Sequence, residues 1–232
     1  MSLLNVASSF AVSVTRLGAG MKAAPSDQAL AKEALVLFEF EGCPFCRKVR
    51  EALTELDLDA EIRPCPKNGQ RFRPQVTELG GKAQFPFLID PNTGWQGYES
   101  AAIVDYLFRT YGKGKKPGFL IKGNAFATLN SSIASGIRPM NGMRAKSSRA
   151  PEQPLELYSF EISPFCRVVR EKLCELETPY ILHNVGKGSP SREAFIKRSG
   201  KMMVPYLIDP NTGVEMFESA DIVKYLEDTY SL

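Results

Sequence analysis

The chain is one unit written twice. Glu41-Gly-Cys-Pro-Phe-Cys-Arg-Lys-Val-Arg-Glu returns as Glu161-Ile-Ser-Pro-Phe-Cys-Arg-Val-Val-Arg-Glu, 120 residues on. Pro86-Phe-Leu-Ile-Asp-Pro-Asn-Thr-Gly returns as Pro205-Tyr-Leu-Ile-Asp-Pro-Asn-Thr-Gly, 119 residues on, so the loop between has lost one residue. Tyr98-Glu-Ser-Ala-Ala-Ile-Val-Asp-Tyr-Leu returns as Phe217-Glu-Ser-Ala-Asp-Ile-Val-Lys-Tyr-Leu. Matches this long are beyond shared composition and mark a tandem duplication. Each copy must therefore close a core within half of the 232 residues, which divides the chain into units 1–115 and 116–232 with cores 34–112 and 154–232.

The order of elements within a unit follows from the placing of apolar residues. Leu35–Phe40 reads as a short strand, and Arg47–Leu56 as a helix with Val49, Leu53 and Leu56 on one face. Ala60–Arg63 is a second strand, Phe72–Leu79 a helix, and Phe85–Asp90 a third strand. The turn Pro91-Asn92-Thr93-Gly94 leads to a short strand at Trp95–Tyr98, and Glu99–Tyr111 is the closing helix. Strands and helices alternate and then end in a hairpin, which predicts an α/β fold: a mixed sheet with helices on its faces.

Ahead of each core lies a weaker match. Ser8-Ser9-Phe10-Ala11 aligns with Ser131-Ser132-Ile133-Ala134, Arg16 falls near Arg138, and Gly20-Met21-Lys22 near Gly142-Met143-Arg144. Residues 1–25 contain no acid and several serines, a composition that also suits a transit peptide. Its recurrence in mid-chain favours a folded preamble over a targeting segment. Leu4, Phe10 and Val14, and then Phe126, Leu129, Ile133 and Ile137, are spaced for a short amphipathic helix in each copy.

Cys43-Pro44-Phe45-Cys46 stands where the first strand gives way to the first helix. Free amides at a helix N-terminus favour a thiolate on the first cysteine. The second, one turn further in, can attack a mixed disulfide formed on the first. Zinc would need a second ligand pair, and Cys65, Cys166, Cys174 and His183 supply none in any metal-binding spacing, so no metal is expected. In the second unit Ser163 replaces the first cysteine, so no mixed disulfide can form there, and Cys166 lies one turn inside the helix. Cys65 reads as an inert loop residue and Cys174 as core; His183 has no recognisable partner. Arg47 and Arg167, directly after the motifs, either stabilise a thiolate or are solvated or salt-bridged.

This order, with X-Pro before the third strand and Glu-Ser before the last helix, resembles the thioredoxin fold. More narrowly it resembles glutaredoxins and the N-terminal domain of glutathione S-transferases. The whole is similar to plant and algal thioredoxin-family proteins with two such domains. The resemblance implies two tandem thioredoxin-like domains, each a four-stranded mixed sheet flanked by helices. It implies glutathione as co-substrate, disulfide or glutathionylated substrates, Cys43 as nucleophile and Cys46 as resolving thiol. Phe85-Pro86 and Val204-Pro205 match the residue and cis-proline that pair with the cysteinyl part of glutathione. Glu99-Ser100 and Glu218-Ser219 match the pair that holds its γ-glutamyl group, which a helix N-terminus suits on physical grounds. Phe45 and Phe165, inside the two motifs, complete the set. Gln84 and Met203 stand near the glycine carboxylate, for which Arg71, Lys82, Arg192 and Lys201 are unranked candidates. Ser163 also matches the serine that activates glutathione in plant-type transferases, so Ser163 and Cys166 form a second site that activates glutathione, merely holds it, or is a copy kept for packing. Transferase or peroxidase chemistry is thus the alternative function. A non-enzymatic module that binds glutathione or carries an iron–sulfur cluster is a third reading; the cluster fits less well, because such relatives usually have glycine where Pro44 stands. The helical C-terminal domain of ordinary transferases, which builds most of their electrophile pocket, has no counterpart.

Composition limits partners and place. A net charge of +3 does not call for nucleic acid, and the cluster Lys113–Lys116 sits among glycines and Pro117 as a linker. No apolar run reaches the roughly 20 residues of a membrane span. Five unevenly spaced cysteines suit a reducing compartment: the cytoplasm, or a plastid if the N-terminus is a targeting segment. A monomer whose two domains pack as a pseudo-two-fold pair is expected.

Overall fold

The same seven elements form twice in the computed structural model, which describes residues 3–24 and 26–232. Residues 1, 2 and 25 belong to the stretch that reads as a preamble or targeting segment and lie outside that description. In the first unit these are β1 (Leu35–Glu39), α2 (Pro44–Glu55), β2 (Ala60–Pro64), α3 (Arg73–Gly80), β3 (Phe87–Asp90), β4 (Trp95–Tyr98) and α4 (Ser100–Tyr111). In the second they are β5 (Leu155–Ser159), α6 (Pro164–Glu175), β6 (Tyr180–Asn184), α7 (Ser191–Ser199), β7 (Tyr206–Asp209), β8 (Val214–Phe217) and α8 (Ser219–Tyr230). A helix precedes each: α1 (Leu3–Thr15) and α5 (Ala125–Gly136). Helix α2 begins three residues earlier than the periodicity predicts, because Cys43 caps it and Pro44 occupies its first turn.

Within a unit β1 runs parallel to β2, β3 antiparallel to β1, and β4 antiparallel to β3. On its own, such a sheet would expose the backbone edge of β2. The two sheets instead join through β2 and β6 into one of eight strands, ordered β4-β3-β1-β2-β6-β5-β7-β8. Ala60 pairs with Leu182, Glu61 with Ile181 and Ile62 with Tyr180. Glu61 thus faces its own repeat equivalent, so the join is two-fold, as in a symmetric dimer. One apolar cluster runs through both units on the side of α2, α4, α6 and α8. It includes Leu37, Val49 and Leu107 from the first, and Leu157, Val169 and Leu226 from the second. Smaller clusters around Phe87 and Phe195 lie under α3 and α7.

The preamble helices cross over. Helix α1 packs on α6 of the second unit, α5 on α2 of the first, and α1 and α5 on each other. The Ser9 hydroxyl donates to the Pro164 carbonyl at 2.7 Å, and the Ser131 hydroxyl to the Pro44 carbonyl at 2.7 Å. These bonds make Ser9 the equivalent of Ser131, one residue away from the match read in the sequence. They also turn the helices over. The buried faces carry Ser9, Val12 and Arg16, or Ser131, Ala134 and Arg138. Leu4, Phe10 and Val14, with Phe126, Leu129 and Ile133, are exposed. Small residues let the helices approach the tips of α6 and α2, and each buried hydroxyl finds a carbonyl there.

His183, unassigned in the sequence, lies beside the join and draws a partner from each unit. Its Nδ1 is 2.6 Å from Asp59 and its Nε2 3.3 Å from Glu156. Burial opposes the charged ring, but the Asp59 bond and the two carboxylates raise its pKa above the ordinary 6.5. A raised histidine pKa gives stability that is full below the unfolded value and is lost as pH rises through the folded one. The parent should therefore melt above His183→Gln at pH values below the ordinary 6.5, with the gap narrowing as pH rises past it. A gap independent of pH in calorimetric scans would refute the ion pairs.

Candidate functional site

Cys43 is the N-cap of α2, in extended conformation (φ −78°, ψ 122°), and its sulfur accepts the Cys46 amide N–H at 3.4 Å. It is 4% exposed, while Cys46 is fully buried. The Cys46 thiol bonds to the Cys43 sulfur, the Cys46 and Phe45 amides and the Arg50 charge add to that, and together they outweigh burial and lower Cys43 to about 7. Burial, then the bond to Cys43, push the Cys46 thiol well up. The first sulfur is thus the ionisable one and the second a protonated thiol behind it. In the second unit Ser163 caps α6 in the same way, its oxygen accepting the Cys166 N–H at 3.3 Å.

Beneath the two helix tips lies a buried ion network absent from the sequence reading. Arg50 donates through Nε to Glu161 of the other unit at 3.0 Å and through Nη1 to Glu39. Arg170 reciprocates, donating to both oxygens of Glu41 at 3.1 Å. Glu161 is held at about 2: burial opposes its charge, but Arg170 and Arg50 prevail. Glu39 has Ser159 as its repeat equivalent, and burial lifts it to about 8 despite Arg50. Arg47 and Arg167 are buried, not solvated, and anchor the leading helices, with Arg47 also 3.9 Å from Glu161. Arg47 Nη1 donates to the Ser131 carbonyl at 3.0 Å, and Arg167 Nη1 to the Ser9 carbonyl at 2.7 Å. The identity of Glu41 with Glu161 and of Arg50 with Arg170 inside the repeat was the available signal.

The Phe85–Pro86 and Val204–Pro205 peptides are both cis. Glu99 (φ 65°, ψ 112°) and Glu218 (φ 67°, ψ 111°) share a positive-φ conformation that non-glycine residues seldom adopt, just ahead of buried Ser100 and Ser219. In the second unit Phe165, Met203, Val204, Pro205, Glu218 and Ser219 line one cavity of about 200 Å³. Five predicted site residues thus meet in one place. In the first unit the Gln84 amide donates to Glu99, and the Phe85 ring meets Phe40 edge to face and has the Arg73 guanidinium over it. Phe45 is half-exposed at the tip of α2, with the Lys48 ammonium over its ring.

Of the basic candidates, Arg71 is committed to the Leu176 and Glu177 carbonyls across the join. Lys82 and Lys201 lie over the Tyr98 and Phe217 rings. Cys65 is buried beside Phe38 and Phe87, its pKa pushed far up by burial, and is inert. Cys174 is core, bonded between the Glu41 amide and the Gly142 carbonyl. Among the described residues no group of three or more His, Cys, Asp or Glu is arranged to hold a metal ion, and no helix is long and apolar enough to cross a membrane.

A β–α–β–α–β–β–α unit with a cis-proline ahead of its third strand defines a thioredoxin-fold domain, and the chain carries two. It belongs to the family described as glutathione S-transferase, N-terminal domain, whose model matches residues 37–116 and 157–232. Glutathione is the co-substrate of such proteins. No curated protein matches the sequence. Among solved structures, a glutathione transferase of Bombyx mori matches at 24% identity and TM-score 0.32, over 43% of this chain and 44% of that one. A glutathione S-transferase of the Antarctic clam Laternula elliptica matches at 22% and 0.33, over 42% of each chain. The chain thus spans less than half the length of these two. A trimeric glutathione transferase of Leishmania matches at 14% and 0.32, over 86% of this chain and 68% of that one.

Proposed function

We propose that the protein is a glutathione-dependent thiol–disulfide oxidoreductase of glutaredoxin type. Units 1–115 and 116–232 each present one site, and the first carries the redox chemistry. The supporting observation is Cys43: a helix-capping sulfur, barely exposed, with its pKa lowered to about 7 beside a protonated thiol. Its thiolate attacks a disulfide or glutathionylated substrate, forming a mixed disulfide and releasing one thiolate. Cys46, or a second glutathione, then displaces the bound half. Glutathione rests against Phe85-Pro86, with its γ-glutamyl group at Glu99-Ser100. In the second unit the cradle is Phe165, Val204-Pro205 and Glu218-Ser219. The free thiols suit a reducing compartment, cytoplasm or plastid, and a monomer with a pseudo-two-fold domain pair.

A second reading gives Ser163 a transferase or peroxidase role. It is favoured by Ser163, at the tip of α6, lining a cavity that shares Phe165, Met203 and Val204 with the one at Pro205 and Ser219. Calorimetric titration with glutathione separates the sites. Two equivalents are expected in the parent. Ser100→Ala and Ser219→Ala should each weaken one of them by about tenfold or more, the worth of a hydrogen bond to a charged group. Binding untouched by either change would refute both cradles.

A further inference from the structure

Helices α1 and α5 are amphipathic the wrong way round. Among the described residues of α1, every exposed position is apolar: Leu4, Ala7, Phe10, Ala11 and Val14. On α5 the exposed positions include Phe126, Leu129 and Ile133, with nothing more polar than Ser132. A solvent-facing helix side ordinarily carries charge, as α8 does with Asp221, Lys224, Glu227 and Asp228. The charges of the leading helices point inward, Arg16 to Glu51 at 2.6 Å and Arg138 to Glu171 at 2.5 Å. Anchoring requires those arginines inside, but it does not require apolar residues outside.

The two stripes form one face. The helices run antiparallel: the Asn130 amide donates to the Thr15 carbonyl at 3.0 Å, and Arg138 Nη1 to the Asn5 carbonyl at 2.7 Å. At one end Leu17 and Phe119 line a common concavity, and the Phe119 ring centre lies 5.5 Å from that of Phe126. Leu4, Leu17 and Phe119 are 82%, 73% and 64% exposed, an outlay of apolar surface that marks an interaction face.

Charge says what the face meets. Residues 1–26 and 106–151, which contain both helices, hold eleven of the chain's 29 Lys and Arg and none of its 26 Asp and Glu. The rest of the chain is net acidic. Lys113, Lys115, Lys116 and Lys122 are exposed in the segment that carries Phe119. The carboxylates there are opposed, Asp27 by Lys113 at 2.9 Å and Glu55 by the Lys115 charge. Past the end of α5, Arg144 is exposed and Lys146 holds Glu175 at 2.6 Å. A second copy of the chain would set these basic segments against themselves, because a two-fold contact brings like to like. A layer of anionic headgroups complements them.

We propose that α1 and α5 together seat the protein on an anionic lipid bilayer. Leu4, Leu17, Phe119, Phe126, Leu129 and Ile133 enter the boundary between headgroups and acyl chains, and the flanking lysines lie among the headgroups. The protein rests on the bilayer without crossing it. The proposal stands on this face alone, independently of the chemistry at Cys43.

Flotation of the full chain with vesicles tests it. The protein is expected to rise with vesicles of equal parts phosphatidylcholine and phosphatidylglycerol. It should bind pure phosphatidylcholine about tenfold or more weakly than that. Phe126→Ser combined with Leu129→Ser should weaken binding to the mixed vesicles by about tenfold or more, with the melting temperature unchanged because both side chains are exposed. Lys115→Gln combined with Lys116→Gln, which leaves both helices untouched, should lower binding to the mixed vesicles by about tenfold and to phosphatidylcholine not at all. Ile196→Ser, at an exposed apolar position of α7 across the sheet, should change nothing. Three results would each overturn the proposal: no flotation with the mixed vesicles, a loss on Ile196→Ser equal to that on the α5 pair, or a dimer in sedimentation velocity that the α5 pair dissociates. The last would give the face to a second copy. Flotation does not read turnover, so failure of the Cys43 chemistry would leave its result standing.

Discussion

Cys43→Ser is expected to abolish reduction of a glutathionylated substrate in a glutathione-coupled assay, by on the order of a thousandfold or more, because the nucleophile itself is gone. Cys46→Ser should spare much of that turnover, since a second glutathione can resolve the intermediate, while reduction of protein disulfides falls. The pH dependence is part of the same expectation. With a pKa of about 7, roughly half of Cys43 is thiolate at neutral pH, against a few per cent for an ordinary cysteine. The rate of Cys43 alkylation should climb with pH and level off above about 8, a unit or more before free cysteine does. Full turnover by Cys43→Ser would remove the oxidoreductase assignment and leave Ser163 as the site to pursue.

The largest expected loss of stability is at Glu161. Its carboxylate sits 3.0 Å from Arg50 and 2.9 Å from Arg170, all three buried. Glu161→Gln removes one of the two carboxylates that Arg50 and Arg170 share and leaves both guanidinium groups on Glu41. Breaking a buried pair in this way costs about 3–5 kcal/mol. In a chain of this size that lowers the melting temperature by on the order of 10 °C. Glu39→Gln is the contrasting case. Held at about 8, Glu39 is already largely protonated at neutral pH, and an amide replaces it for about 1 kcal/mol. Equal melting temperatures for the two variants would show that the network does not have the charges assigned to it.

Much of this was legible in the sequence because it is local. The order of elements follows from apolar spacing, and Cys43, Pro44, Pro86 and Ser100 each do something within a turn of their own position. What escaped depends on the other copy. Nothing near His183 announces Asp59, and nothing near Arg50 announces Glu161, since those partners lie more than a hundred residues away. The preamble helices show the same limit. Periodicity gave their existence, but which face turns inward is decided by carbonyls at Pro44 and Pro164 that spacing does not see. Joining β2 to β6 likewise turned two expected sheets into one.

The crossing of α1 and α5 has a consequence for how such a chain can change. In a symmetric dimer a single codon writes both sites, and any novelty appears in duplicate. Here each half lends its leading helix to its neighbour, so the halves are mutually dependent, yet Phe10 and Ser132 are separately encoded. Fusion keeps the partnership obligatory while freeing one helix to drift from the other.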